Sequence, residues 1–248
     1  MNNENTSWRW GMLFLGGSLA FGLVLATHLA TRGLMKTKLV EQDISVKGYA
    51  ERRITSDRAT WSASFGAADP QLPAAYVKLR TDLAKVQAYL DQQGIGKDEV
   101  SYGPIAIHSI FKKDPQGHDT NELERYWLVQ PLAVSSDQVQ RVAKLATGAA
   151  HLIEEGVELE AQSPCYVYTK LNDLKSNLLA DATRNARGRA EQIASNSGAA
   201  VGSLRAAHQG VFQITPVYDT EVSDTGVNDT SSLEKMVRAV VTVEFAVR

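Results

Sequence analysis

The sequence predicts an α+β protein: an N-terminal transmembrane helix followed by a mainly antiparallel β-sheet body with three helices. Three observations lead there. From Trp10 to Ala30 there is no Lys, Arg, Asp or Glu. Several later segments alternate apolar and polar residues with a period of two, as half-buried strands do. Between them, apolar residues recur every three or four positions, the spacing of one helix face. The implied order is a tail over 1–9, an anchor over 10–31, a linker over 32–42 and a body over 43–248.

The anchor follows from length. At ~1.5 Å per residue, about twenty residues match the ~30 Å hydrocarbon core of a bilayer. Trp8 and Trp10 stand where an interfacial aromatic belt belongs, and Arg32, Lys36 and Lys38 close the far end. A cleaved signal peptide has a shorter apolar core of ~7–15 residues and small residues at −3 and −1. Cutting after Ala30 would place His28 at −3, so an uncleaved anchor is the better reading. A buried core helix fits less well, because the run is apolar on every face. Ser18, Gly22, Ala26 and Ala30 form a stripe of small residues, through which such helices can associate. Basic residues are scarcer before the span (Arg9) than after it (Arg32, Lys36, Lys38, Lys47), which by charge alone favours a cytoplasmic body.

The body opens with a strand at Ile44–Ala50. A second strand places Ala59, Trp61, Ala63 and Phe65 on one face, and Thr55-Ser-Asp57 turns between the two. Asp69 as cap and Pro70 at the first helical position start a helix whose stripe is Leu72, Tyr76, Leu79, Leu83, Val86 and Leu90; Gly94 stops it. Val100–Phe111 and Leu123–Val134 read as a hairpin, with Pro131 marking an edge position or a bulge. Ser135 and Gln138 suggest a capping box for a short helix burying Val139, Val142, Ala143 and Ala146. A strand over Ile153–Ala161 precedes the longest helix of the body, with Leu171, Leu174, Leu178, Ala182, Ala186 and Ile193 inward and Gly198 at its end. Leu204–Ile214 is a strand and Thr220–Ser232 a polar loop. In the last strand Val237, Ala239, Val241, Val243, Phe245 and Val247 alternate with polar residues, the mark of an internal antiparallel partner.

Composition narrows the function classes. With 44% hydrophobic and 22% charged residues the chain folds, and a net charge of −2 without a basic–aromatic segment argues against nucleic-acid binding. Cys165 is the only cysteine, so no intramolecular disulfide forms, and Ser163-Pro-Cys-Tyr166 supplies no base to activate the thiol. His28, His108, His118, His151 and His208 make no HxH or HxxxH pair. Glu154-Glu155 and Asp98-Glu99 sit beside turns, where solvation explains them. Arg184, Arg187 and Arg189 with Glu191 read as a solvated helix face. The acidic run Asp219–Asp224 with Asn228-Asp229 lacks EF-hand spacing and reads as a flexible loop. No catalytic, cofactor-binding or metal-binding residue is assigned, and no cofactor is expected.

Several phrases resemble the SIMPL-domain family of bacterial exported or envelope-associated proteins, over about Ile44 to Arg248. Ile44-Ser-Val-Lys-Gly-Tyr-Ala-Glu51 looks like its first strand, usually Val-x-Gly-x-Gly. Gly94-Ile-Gly-Lys-Asp-Glu-Val100 is similar to its first helix-to-strand turn. Tyr168-Thr-Lys-Leu-Asn-Asp-Leu174 leads into Ala182, Ala186, Ala190 and Asn196-Ser-Gly198 in the family manner. Gln213-Ile-Thr-Pro216 and Asn228–Lys235 resemble a membrane-anchored branch. Ala50 replaces an expected glycine, and Ser56-Asp57 stands where Pro-Asp is common.

The resemblance implies two βαβ-like lobes and no known catalytic residues. Some members are linked to stress tolerance and some form large oligomers. The resulting expectation is a non-catalytic, single-pass protein of a bacterial inner membrane with a periplasmic body, forming homo-oligomers or contacting a protein partner. A small-ligand module using a cleft between lobes is the alternative. An enzyme with a site assembled from distant residues is a third reading.

Overall fold

The computed structural model describes residues 16–32 and 43–248. Residues 16–32 form helix α1, exposed along its length, with Leu19, Phe21, Leu23, Val24, Leu25 and Leu29 among its uncovered apolar side chains. The Thr27 and Thr31 hydroxyls donate to the Leu23 and Thr27 carbonyls, so neither hydroxyl opens a polar spot on the helix. Among the described residues no helix is long and apolar enough to cross a membrane. The expected 10–31 span is therefore seen only from residue 16 onward, a rise of roughly 25 Å against the ~30 Å of a hydrocarbon core. Residues 10–15, the tail and the linker beyond Arg32 lie outside the described residues.

The body is α+β with mainly antiparallel sheets. Its elements are β1 (Asp43–Thr55), β2 (Arg58–Asp69), α2 (Leu72–Gln92), a 3-10 turn (Lys97–Glu99), β3 (Val100–Tyr102), β4 (Ala106–Lys113), β5 (Asp119–Ser136), α3 (Val139–Gly148) and α4 (Ala150–Glu154). Then come β6 (Glu158–Ala161), β7 (Cys165–Val167), α5 (Leu171–Asn196), β8 (Val201–Gln209), β9 (Gln213–Pro216) and β10 (Glu234–Val247). One sheet runs β1-β10-β8, with β9 also on β10. The other runs β3-β5-β2-β6, with β4 on β5 and β7 on β2.

The chain divides into two compact units. The larger comprises Ala50–Ala180 and Val211–Ala239. Its core lies on one face of the β3-β5-β2-β6 sheet, where Ala59, Trp61, Ala63 and Phe65 are buried with Leu79, Val86, Leu90, Leu128, Leu132, Val134, Val142 and Leu145. The period-two reading of β2 thus holds residue by residue. The smaller comprises, of the described residues, those up to Tyr49 together with Asp181–Gly210 and Val240–Arg248. There β10 pairs antiparallel with β8, Val241 opposite Gln209 and Val243 opposite Ala207. Within that unit Ala182, Ala186, Ala190 and Ala194 of α5 are buried, and Gly48 of β1 packs directly on this helix.

Several expectations need correction. The body holds a fourth helix, α4, where the strand over 153–161 was expected to begin; Gly156, at φ +84°, ends it, and the strand starts at Glu158. The cap of α2 is Gln71, and Pro73 rather than Pro70 lies in its first turn; Asp69 instead accepts the Gln71 N–H. Ser135 caps nothing: α3 starts at Val139, and Ser136 accepts the Gln138 N–H. Tyr76 and Ile193 point outward, their core places taken by Ala75 and Ala194. Pro131 lies neither on an edge strand nor at a bulge with β2, but on its N–H side it falls between the ladders of β3 and β4. It sits in the internal strand β5, opposite Ser64 of β2, and its carbonyl accepts the Gly103 N–H. Its missing N–H points to that same side, where the edge of the sheet breaks between β3 and β4.

Candidate functional site

A polar node lies in the larger unit, where the turn after β1, strand β7 and the loop before β10 converge. Extending the alternation of β10 backward puts Lys235 on the inward face, and it is 2% exposed. Its ammonium donates to the Tyr166 carbonyl at 2.7 Å and to the Asp229 carbonyl. Burial pushes the Lys235 ammonium below the ordinary lysine range, partly opposed by the charge of Asp229.

Asp229 shapes the loop. Its Oδ1 accepts from the Ser231 N–H at 2.8 Å, the Ser231 hydroxyl at 2.7 Å and the Ser232 N–H at 3.2 Å. Burial acts to raise this carboxyl, but the donors from Ser231 and Ser232 and the Lys235 charge hold it below the usual range. Its Oδ2 is buried and has no hydrogen-bond partner among the described residues. Asp57 closes the opposite side, accepting from the Thr169 N–H at 2.7 Å and the Thr169 hydroxyl at 2.8 Å. Ile54, Leu171 and Ile214 line a cavity of about 90 Å³ beside Lys235. A lysine held by two carbonyl acceptors is a donor fastening three chain segments; as an ammonium it has no lone pair for nucleophilic attack.

A second concavity, of about 500 Å³, lies over β3, β5, β2 and β6. Small side chains, Ser62, Ser64, Ser101 and Ala133, form its floor, and Glu160 and Gln162 stand at one edge. The third feature is a ribbon. β2 pairs with β5 only from Tyr126 onward, so from Asp119 to Arg125 β5 has β4 alone beside it. Ile107, Phe111, Leu123 and Trp127 on this ribbon are 56%, 39%, 37% and 40% exposed.

The residues considered from sequence are dispersed. His108 rests against Trp127, with ring centroids 5.7 Å apart. His118 lies in the ribbon's turn, 3.3 Å from Asp114. His151 lies 3.0 Å from Glu154 and 3.4 Å from Glu155, and Glu154 leads in raising its pKa. His208 lies on β8 opposite Thr242, and His28 lies in α1. Among the described residues no three His, Cys, Asp or Glu side chains gather to hold a metal. Cys165 is half-buried on β7.

Glu99 is a structural tie rather than a solvated carboxylate. It accepts from the Ser136 hydroxyl and the Gly96 N–H, and these two bonds, the Ser136 one first, lower its pKa. Arg184 and Arg187 pair locally with Asp181 and Glu191, while Arg189 donates to the Lys47 carbonyl. The loop read as flexible is pinned: Gln213 bonds Ser223 and Val227, and Arg238 donates to the Asp219 carbonyl. Gln213 and Lys235 stand in the sequence only as parts of the resembling segments and Arg238 only as a polar residue of the last strand, none with a fastening role. A lysine in phase with the apolar face of the last strand was the available signal.

Comparison with known proteins gives one family. The profile of SIMPL, described as a protein of unknown function (DUF541), matches residues 44–245. No curated protein matches the chain. Among solved structures, an uncharacterized conserved protein from Listeria innocua aligns at 14% identity over 77% of this chain and 91% of that one, with a TM-score of 0.20.

Proposed function

The chain belongs to the SIMPL family of proteins of unknown function, and from that premise we propose that it is a non-catalytic, membrane-anchored envelope protein acting by association. The body extends outside the cytoplasm and joins copies of itself or a protein partner, in a role connected with stress tolerance. The observation that carries this reading is the β4–β5 ribbon, which extends beyond β2 with apolar side chains uncovered. Isolated two-stranded ribbons are marginal in water, so one with an apolar face gains by being covered. The apolar side chains exposed along α1, Leu19, Phe21, Leu23, Val24, Leu25 and Leu29 among them, support the anchor, since such a surface is better placed in lipid than in water.

Light scattering of the full chain in mild detergent, after correction for bound detergent, tests association. A mass above that of one copy is expected; a strictly monomeric protein that retains no partner in membrane co-purification refutes the reading. A reporter active only outside the cytoplasm, fused after Arg248, tests direction. Silence from a well-expressed fusion reverses the orientation.

The small-ligand reading draws on the cavity beside Lys235 and the buried Asp229 Oδ2, which has no partner among the described residues. A saturable thermal shift from one small metabolite, abolished in Asp229→Asn, would favour it over association.

A further inference from the structure

The outer edge of β4 pairs with no strand among the described residues. Its sequence, Ala-Ile-His-Ser-Ile-Phe-Lys-Lys, contains no proline. The register irregularities beyond Ile110 add residues on the β5 side, so β4 itself runs without insertion. Exposed edges are commonly guarded by proline, bulges or outward lysines. Here Lys112 turns back across the ribbon to Glu122, at 2.9 Å, and does not guard the edge.

The faces of this strand are unequal. Ile107 stands opposite Leu128, Ser109 opposite Tyr126 and Phe111 opposite Leu123, so these residues share one face. Leu128 is buried on it, while Ile107 and Phe111 remain uncovered. The apolar face of the sheet therefore continues along β4 to an open edge.

We infer that β4 is a homotypic pairing strand: two copies join antiparallel, edge to edge, about a two-fold axis through Ser109. The strand's own register selects a second copy as the occupant. A two-fold perpendicular to the sheet keeps both apolar faces on one side. Centred on Ser109, it sets Ile107 against the partner's Phe111, and Phe111 against the partner's Ile107. Aromatic–β-branched pairs of this kind favour sheet pairing. His108 then meets the partner's Ile110, and no like charges are opposed. Moving the axis to Ile110 would face Ile107 with the partner's Lys113. Moving it to His108 would face that histidine with the partner's His108. Register is strongly specified where one face is apolar, and Ser109 gives the matched one.

This inference rests on the association reading and specifies its surface. The test uses the full chain in mild detergent, with Ile107→Glu, Phe111→Lys and the double variant compared for self-association. Each single change is expected to raise the dissociation constant about tenfold or more, ~1.4 kcal/mol. The double variant is expected to recover most of that loss, because each new Glu meets the partner's new Lys. Independently, Ser109→Cys in a Cys165→Ser background is expected to form disulfide-linked dimers under mild oxidation, since the axis sets the residue against itself. Singles that associate like wild type, or a natively folded double variant weaker than both singles, overturn the inference. So does a Ser109→Cys protein that links no faster than the exposed control Thr147→Cys. If wild type is monomeric, the self-association reading falls as well; if wild type associates and the variants do not weaken it, only the β4 surface falls.

Discussion

Adding one methyl group at Gly48 probes a close approach of strand and helix in the smaller unit. A Cβ there would lie 2.0 Å from the Ala182 carbonyl oxygen, 2.7 Å from the Ala186 Cβ and 2.8 Å from the Ala186 nitrogen. Carbon–oxygen contacts of this kind settle near ~3.3–3.6 Å, so α5 must retreat by about 1.3 Å or β1 must bend. Two of the three atoms are backbone, and no rotamer change relieves them. Retreat would also pull Asn185 from the Tyr49 N–H, now at 3.1 Å, and Arg189 from the Lys47 carbonyl, also at 3.1 Å.

Overpacking of this kind costs about 1–3 kcal/mol or more. Replacing glycine restrains the unfolded chain and returns ~0.4–1 kcal/mol. Gly48→Ala is therefore expected to lose about 2 kcal/mol net, a fall in Tm of roughly 4–8 °C for a chain of this length. Circular dichroism melting of the full chain in detergent measures it, and hydrogen exchange in residues 43–49 and 181–196 localises it. A melt within about 2 °C of wild type refutes the reasoning. So does full rescue by Ala186→Gly, because that change leaves the Ala182 oxygen in place.

The other predictions concern ionisable groups. Lys235→Ala leaves the Tyr166 and Asp229 carbonyls without their buried donor and should cost about 2–4 kcal/mol in denaturant unfolding; a loss under about 1 kcal/mol refutes the fastening role. Lys235→Met keeps the volume and should cost less. Because burial lowers the folded-state pKa of Lys235 below the ordinary lysine value of 10.5, the unfolded chain binds more protons in the alkaline range just below that value. Wild-type stability should therefore rise relative to Lys235→Met as pH climbs toward 10.5, and a parallel pH dependence of the two proteins refutes this. His151 should titrate above 6.5 by NMR, and Glu154→Gln should bring it down; an unchanged midpoint refutes the pairing. Its contribution to α4 is present at low pH and lost as pH rises through the raised value.

Much of the fold was legible where one-dimensional periodicity and three-dimensional burial agree. The inward set of β2 and the central place of β10 follow from strict alternation, and Gly94 and Gly198 end their helices at positive φ as read. The failures share a cause: non-local packing decided between local options. Tyr76 and Ala75 both fit a helical stripe, and only the facing sheet selects the smaller residue. His151-Leu-Ile-Glu-Glu155 suits helix or strand by composition, and its position after α3 makes it helix. Pro131 looked like an edge residue because its neighbours in space, Gly103 and Ser64, lie far away in sequence.

The candidate site was least legible, for a physical reason that bears on function. Ionisable side chains act as fasteners in the fold. Glu99 holds Ser136 and Gly96, Asp57 holds Thr169, and Lys235 holds two carbonyls. Each satisfies a backbone or hydroxyl partner in a loop, and buried polar groups need such partners. The acidic loop shows the same logic, since Gln213 and Arg238 draw it onto β9 and β10. Apolar residues of the ribbon show the reverse. Ile107 and Phe111 lie on the outer strand β4, which no further strand covers among the described residues, and both stay exposed; Phe111, opposite Leu123, also lies beyond the stretch that β2 pairs. Around an apolar core of the usual arrangement, a few buried polar groups hold loops, and a few apolar side chains stay uncovered along β4 and β5. An uncovered apolar edge gains from being covered, while a buried polar group that already has its partners is fixed in place.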